Sequence, residues 1–200
     1  MLLIFDWDGT LADSREHIVA AMQAAITTLE LPTQTDNRCA QMIGLGLQET
    51  ALQLFPHFYN NGFDEQDGLN QSGLEQFSTS YSSHFTHLKQ QYGPTQFFPG
   101  AIDTLEQLKA QGHLLAVATG KSRRGLDRVL AADNLMDLFI ATRAADETAS
   151  KPNPLMLEAL LNETQMSAEQ AVMIGDTSYD MQMAANIDMQ RIAVSYGVHE

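Results

Sequence analysis

Residues 2–10 read Leu2-Leu3-Ile4-Phe5-Asp6-Trp7-Asp8-Gly9-Thr10. Four apolar residues that run into a carboxylate, with a glycine close behind, describe a short strand buried on both faces and ending in a loop. Alternation along the extended segment puts Asp6 and Asp8 on one side and Trp7 on the other. Two carboxylates this close repel, so at least one is protonated, paired with a cation or bound to a metal. Mg²⁺, a hard ion that takes oxygen ligands and keeps several waters, suits such a pair. Gly9 lets the backbone approach a ligand, and the amides after it can donate to an anion. Standing alone, two acids at a strand end merely meet solvent and cap a turn, so the rest of the chain decides between the readings.

Beyond the loop, Asp13 and Glu16 resemble a capping box, and Ile18, Met22, Ile26 and Leu29 follow a helical stripe as far as Pro32. From Asn37 to Tyr92 the pattern stays helical, with Leu74, Phe77, Tyr81, Phe85 and Leu88 on one long amphipathic helix and the polar stretch Gly62 to Gly73 as a loop. Gly93-Pro94 and Pro99-Gly100 then punctuate the chain, and helices and strands begin to alternate. A helix through Ile102, Leu105 and Leu108 stops at Gly112, and Leu114–Ala118 is a strand. A helix with Leu126, Val129 and Leu130 leads to a strand at Leu138–Ala141. Helix Leu155–Leu161, strand Ala171–Ile174, helix Met181–Ile187 and strand Ile192–Val194 complete the rhythm. Strands separated by helices imply right-handed parallel crossovers and a three-layer α/β sheet, with ligands bound beyond the carboxyl ends of the strands. The expected organisation is an α/β core of residues 1–14 and 93–200, with 15–92 as an inserted, all-helical lobe.

Composition narrows the function. With 44% apolar and 18% charged residues in 200, the chain has ample material for a buried interior. Lys plus Arg number 11 against 25 Asp plus Glu, a formal charge of -14. Such a surface repels nucleic-acid backbones and anionic lipid, so neither is an expected partner, and an anionic substrate needs local cations or a metal to reverse the field. A single cysteine, Cys39, forms no internal disulfide and no zinc cluster, which fits a reducing cytoplasm. The run Leu2 to Phe5 is too short for a signal or a membrane span. Monomer and dimer both remain open.

Three later segments carry chemistry. Ala118-Thr119-Gly120-Lys121-Ser122 brings a hydroxyl, free amides and a helix start to the end of a strand, a small phosphate cradle in company but ordinary turn and cap chemistry when taken by itself. Lys151 precedes Pro152-Asn153-Pro154, so its backbone is held stiffly, and a fixed ammonium can neutralise an anionic nucleophile and a phosphoryl group. Gly175-Asp176-Thr177-Ser178-Tyr179-Asp180 delivers two more carboxylates to a strand end, as metal ligands or as a helix N-cap.

Taken together, DWDGTLADS, VATGKS, SKPNP and MIGDTSYDMQMAA resemble the four ordered motifs of the haloacid dehalogenase-like superfamily, especially its phosphoglycolate phosphatase-like branch. Only Asn37 to Gln96 lack a signature, where family members carry a helical cap. The resemblance implies a Rossmann-like core and a Mg²⁺-dependent phosphatase acting on a small phosphorylated metabolite. It makes Asp6 the nucleophile that forms an aspartyl-phosphate, and Asp8 the residue that protonates the leaving alcohol and then activates water. It places Mg²⁺ on the Asp6 carboxylate, the Asp8 backbone carbonyl and Asp176, with Asp180 in or near the metal's surroundings. Gly9, Thr10, Thr119, Gly120 and Lys151 would hold the phosphoryl oxygens. Dehalogenase members lack an acid at the position of Asp8, which disfavours carbon-halogen hydrolysis, and Thr10 resembles the phosphatases more than the sugar phosphomutases. A phosphomutase, a phospho-aspartate receiver domain and a binding protein that keeps the fold without catalysis are the rival readings, the last opposed by the intact Asp6, Asp8, Lys151 and Asp176. Gly120 departs from the family's frequent Asn or Ser, and Asp188 from its usual Gly. The chain stops at Glu200, where relatives usually run on through a further strand and helix. In the cap, Arg38, Gln41, Gln48 and His57 are candidates to reach the leaving group, and Ile43-Gly44-Leu45-Gly46-Leu47 reads as a hinge, a contact loop or a simple break between helices.

Overall fold

A computed structural model of the chain describes residues 1–56, 69–93 and 96–199. His57 and positions 62–68 of the expected polar loop lie outside the described residues. The chain divides into two compact units, one of Met1–Ser14, Gly44–Gly46 and Thr95–Glu200, the other of Arg15–Ile43 and Leu47–Pro94.

The first unit is built on five parallel strands: β1 Leu2–Phe5, β2 Leu114–Thr119, β3 Ala141–Ala144, β4 Ala171–Gly175 and β5 Gln190–Ala193. Their order is β3-β2-β1-β4-β5, so β1 sits centrally with Leu2 opposite both Leu114 and Ala171. The pleat sorts its side chains to two faces. Leu2 and Ile4 join Ala116, Met173 and the helix residues Met156, Leu157, Leu160 and Met183; Phe5 and Trp7 join Leu115, Val117, Leu105, Leu126 and Val129. Helices therefore cover both faces, which explains why the strand sequences are apolar throughout rather than alternating. Chain order runs outward from β1 to β3 on one side and restarts at β4 on the other. That reversal puts the switch point at the carboxyl ends of β1 and β4, where an open parallel sheet binds its ligand.

In the helical unit, α1 (Arg15–Thr28) buries Ile18, Val19, Met22 and Ile26. It packs against α2 (Asp36–Ala40) and α4 (Leu69–Tyr92), and α3 (Leu47–Leu54) packs on α4 as well. Phe77 of α4 is fully buried, its ring edge-on to Phe55 with centroids 6.0 Å apart. Helix α1 starts at Arg15, later than a cap at Asp13 would set it. Helix α4 starts at Leu69, so Leu69–Gly73 are helical where a loop was expected. No described helix is long and apolar enough to cross a membrane. The chain leaves and re-enters the α/β unit at adjacent points. Asp13 N–H donates to the Gln96 carbonyl at 2.8 Å and Phe98 N–H to the Leu11 carbonyl at 3.0 Å, so the long excursion begins and ends beside itself without opening the sheet.

The remaining helices are α5 (Ala101–Ala110), α6 (Arg123–Ala132), α7 (Leu155–Thr164) and α8 (Ser178–Ala185). The third strand lies at Ala141–Ala144 rather than Leu138–Ala141, because Met136–Leu138 form a turn of 3-10 helix whose apolar residues imitate the start of a strand. Asp188 has φ +52°, a left-handed conformation that Asp tolerates better than most residues, so the turn expected to want glycine forms without it.

Candidate active site

Asp6 is the first residue past β1 and is 1% exposed. Its Oδ1 is ion-paired with Lys151 Nζ at 2.7 Å, while its Oδ2, also buried, meets no hydrogen-bond donor among the described residues. Asp176 follows β4 and Asp180 lies in the first turn of α8, and the three carboxylates offer ligand atoms all within 4.8 Å of one another. Lys151 answers Asp180 as well, at 2.6 Å from its Oδ1. Fully ionised, the three buried carboxylates exceed the one ammonium by two negative charges, the complement of one divalent cation. Oxygen-only donors and an orphaned buried carboxylate oxygen therefore fit a hard ion such as Mg²⁺.

The electrostatics follow from burial. Asp6 is held well above the ordinary carboxylate range by loss of solvent, which Lys151 opposes and Asp180 and Asp176 reinforce. Asp176 is raised by burial against the opposing hydrogen bonds of Val198 and Thr10. Burial pulls Lys151 down, but Asp180 and Asp6 push harder in the other direction, so the ammonium keeps its proton.

Asp8 stands apart from this cluster. Its Oδ2 pairs with Lys121 Nζ at 2.9 Å, and Ser14 donates its hydroxyl to Oδ1. The expected crowding of Asp6 and Asp8 is thus relieved by giving each its own lysine. Trp7 points the other way, into the core, edge-on to Phe97 and Phe139.

The remaining candidates also gather here. Thr10 directs its hydroxyl at Asp176 Oδ1, 2.9 Å away. Gly9 has φ +90°, and a Cβ on it would lie 2.3 Å from Asp176 Oδ2, so glycine is required both by the backbone and by the carboxylate beside it. Thr119 ends β2 fully buried, its hydroxyl oxygen accepting from the Lys121 N–H at 3.2 Å and still able to donate. Asp180 takes Thr177 N–H at 3.1 Å and the Thr177 hydroxyl at 2.6 Å on Oδ2, which makes it the anchor of Lys151 and of the α8 capping box. Of the cap candidates, Arg38 is exposed and donates to the Gln53 carbonyl inside the helical unit, and Gln41 and Gln48 are exposed.

Sequence reasoning gave no role to Lys121, Ser14 or Thr177, and it left Gly44–Gly46 open between a hinge, a contact loop and a simple break between helices. That segment belongs to the α/β unit, with the Gly46 N–H donating to Ser150 Oγ at 2.9 Å. It also explains Gly120. A Cβ there would lie 2.6 Å from the Gly44 carbonyl oxygen and 2.7 Å from that of Leu45, so the Asn or Ser frequent in relatives has no room. The departure from the family pattern was the one available signal. Gly120→Ala is expected to cost about 1–3 kcal/mol through overpacking against backbone that has little freedom to retreat. Thermal denaturation in chelator checks this, and an unchanged midpoint would show that Gly44–Gly46 yields freely.

Comparison with known proteins agrees with this geometry. The family model described as Haloacid dehalogenase-like hydrolase matches residues 3–194. "Probable phosphatase IndB" of Dickeya dadantii is 32% identical over 199 residues, covering 99% of this chain and 82% of that protein. A phosphoglycolate phosphatase of Aliivibrio fischeri is 30% identical over 197 residues, covering 98% and 84%. Among solved structures, a haloacid dehalogenase-like hydrolase from Bacteroides fragilis superposes with a TM-score of 0.82 at 26% identity, covering 100% of this chain and 89% of its own. A hydrolase from Pseudomonas syringae shares the fold at a TM-score of 0.84 and 23% identity, covering 99% and 86%. With its acids and lysines converging at the carboxyl ends of β1 and β4, the chain belongs to the haloacid dehalogenase-like hydrolases, in the branch that resembles the phosphoglycolate phosphatases.

Proposed function

We propose that the protein is a Mg²⁺-dependent phosphatase that hydrolyses a small phosphorylated metabolite, a phosphate monoester of the phosphoglycolate type, by way of a phosphoryl group carried on Asp6. The observation that supports this most directly is the Asp6 carboxylate itself, buried at a strand end beside Lys151 with one oxygen that no described donor satisfies. Asp6, Asp176 and the Asp8 backbone carbonyl would hold the ion, which supplies positive charge that offsets the repulsion between a carboxylate and an incoming phosphate. Relatives with phosphatase names at 32% and 30% identity favour the same chemistry.

The chain's own residues divide the work. An Asp6 oxygen attacks phosphorus as the bond to the ester oxygen breaks, and Asp8 gives that oxygen a proton. In the second half Asp8, again a carboxylate, takes a proton from water as the water attacks the phosphoryl group, which restores Asp6 and releases inorganic phosphate. Lys121 and Ser14 fix the Asp8 carboxylate for this exchange. Lys151 screens the charge of Asp6, Asp180 keeps Lys151 in place, and Thr119 with the amides after β2 faces the phosphoryl oxygens. The helical unit is read as the cap that selects the leaving group.

Release of inorganic phosphate from p-nitrophenyl phosphate and from a panel of phosphorylated metabolites tests the proposal. Release should require Mg²⁺ and stop with chelator, and Asp8→Asn should slow it by about 10²–10⁴-fold. Isomerised sugar phosphate with no free phosphate would sink the hydrolase reading in favour of a phosphomutase.

A further inference from the structure

Four motif loops supply Asp6, Thr119, Lys151 and Asp176, yet the Asp176 carboxylate is also gripped by a fifth segment, the turn Tyr196–His199 that follows β5. Val198 donates its backbone N–H to Asp176 Oδ2 at 2.7 Å, opposite the Thr10 hydroxyl on Oδ1. A Cβ on Gly197 would lie 2.2 Å from Asp176 Cβ and 2.4 Å from its Oδ2. Gly197 has no positive φ, so its backbone would accept alanine; glycine is needed only because the carboxylate fills the space.

The turn is fastened at both ends. Tyr196 packs its ring on Phe98, centroids 4.6 Å apart, and donates its hydroxyl to the Thr10 carbonyl at 3.1 Å. His199 stands edge-on to Tyr179 at 5.2 Å, and its Nδ1 accepts the Ser178 N–H at 3.3 Å. Thr10 is therefore held through its carbonyl by the turn and holds Asp176 through its hydroxyl, which closes a ring of contacts around one carboxylate.

We propose that Tyr196–His199 is a strap that orients Asp176 for the divalent cation, with Gly197 and Val198 as positioning residues. The inference rests on the reading of Asp6 and Asp176 as Mg²⁺ ligands. Each oxygen of Asp176 accepts one hydrogen bond from the protein and keeps a lone pair for the ion. The strap thereby fixes which way that lone pair points, as outer partners of metal ligands commonly do.

Isothermal titration of the whole protein with Mg²⁺, without substrate, provides the test. Gly197→Ala should bind Mg²⁺ about 10- to 100-fold more weakly while its circular dichroism stays that of the folded wild type. Tyr196→Phe, which loses only the bond to the Thr10 carbonyl, should weaken binding in the same direction by less. Wild-type affinity in a folded Gly197→Ala overturns the strap and leaves the metal site standing. A wild type that takes up no Mg²⁺ overturns the metal reading and the strap with it. Should Gly197→Ala fail to fold, Tyr196→Phe decides, and an unchanged isotherm there overturns the proposal.

Discussion

Asp6→Asn is expected to lower phosphate release by about 10⁴-fold or more and, in chelator at neutral pH, to raise the melting midpoint above wild type. On the proposed mechanism the loss of activity follows from removing the attacking oxygen, for which a neutral amide is no substitute. The gain in stability follows from the charge it removes. Burial, only partly opposed by Lys151, holds Asp6 above its ordinary value of 3.8, so the folded metal-free protein keeps a proton that the unfolded chain gives up. The stability due to that difference is complete below pH 3.8 and is lost as pH rises through the raised folded value. Asparagine has no proton to lose, so the variant gains on the wild type across that window. The gap should be a few degrees, each kcal/mol being worth about 2–4 °C in a chain of this size. Mg²⁺ narrows it, because the ion stabilises the wild type in proportion to its tighter binding. Melting curves with and without Mg²⁺ across pH, alongside a phosphate assay, check both halves. Wild-type turnover in the variant would falsify the assignment of the nucleophile.

The same balance of burial and charge explains which features were legible in the sequence. The strands β1, β2 and β4 announce themselves because each is an apolar run buried between helices and broken by a carboxylate or Thr-Gly. Strand β3 is a sheet edge with Thr142 and Arg143 in its middle, and the Arg123 guanidinium donates to the Thr142 hydroxyl; its polar pattern lost to the apolar turn before it. Acids and the Pro-flanked lysine are visible because their chemistry resides in side chains. How those groups are partitioned is not visible, since sequence spacing says nothing about Lys121 reaching Asp8 while Lys151 reaches Asp6. The Gly44–Gly46 segment and the strap are harder still. Both act through backbone carbonyls, N–H groups and the absence of a Cβ, which any short glycine-containing loop offers equally well on paper.

Lys151→Met should be the most damaging single change to the fold of this site. The residue is 1% exposed, and its ammonium lies 2.7 Å from Asp6 and 2.6 Å from Asp180. Methionine keeps the length and removes the charge, so two buried carboxylates face a thioether instead of a cation. Removing one partner of a buried ion pair costs about 3–5 kcal/mol, which corresponds to a midpoint lower by roughly 6–20 °C. On the proposed mechanism turnover should also fall by about 10²–10³-fold, since the same ammonium would screen the nucleophile against the phosphate it attacks. The deficit has a pH signature. Without Lys151 the opposition to burial disappears and the Asp6 proton is held still more tightly, so the penalty of ionising it grows as pH rises and shrinks in acid. Mg²⁺ should recover part of the midpoint, since it brings positive charge to the same carboxylates, whereas Arg in place of Lys should not, its planar fork being too large for a pocket built around a single nitrogen. Equal midpoints for wild type and Lys151→Met in chelator at pH 7 would mean that the Lys151 ammonium does not compensate the buried acids, and its assignment as their counter-charge would fall.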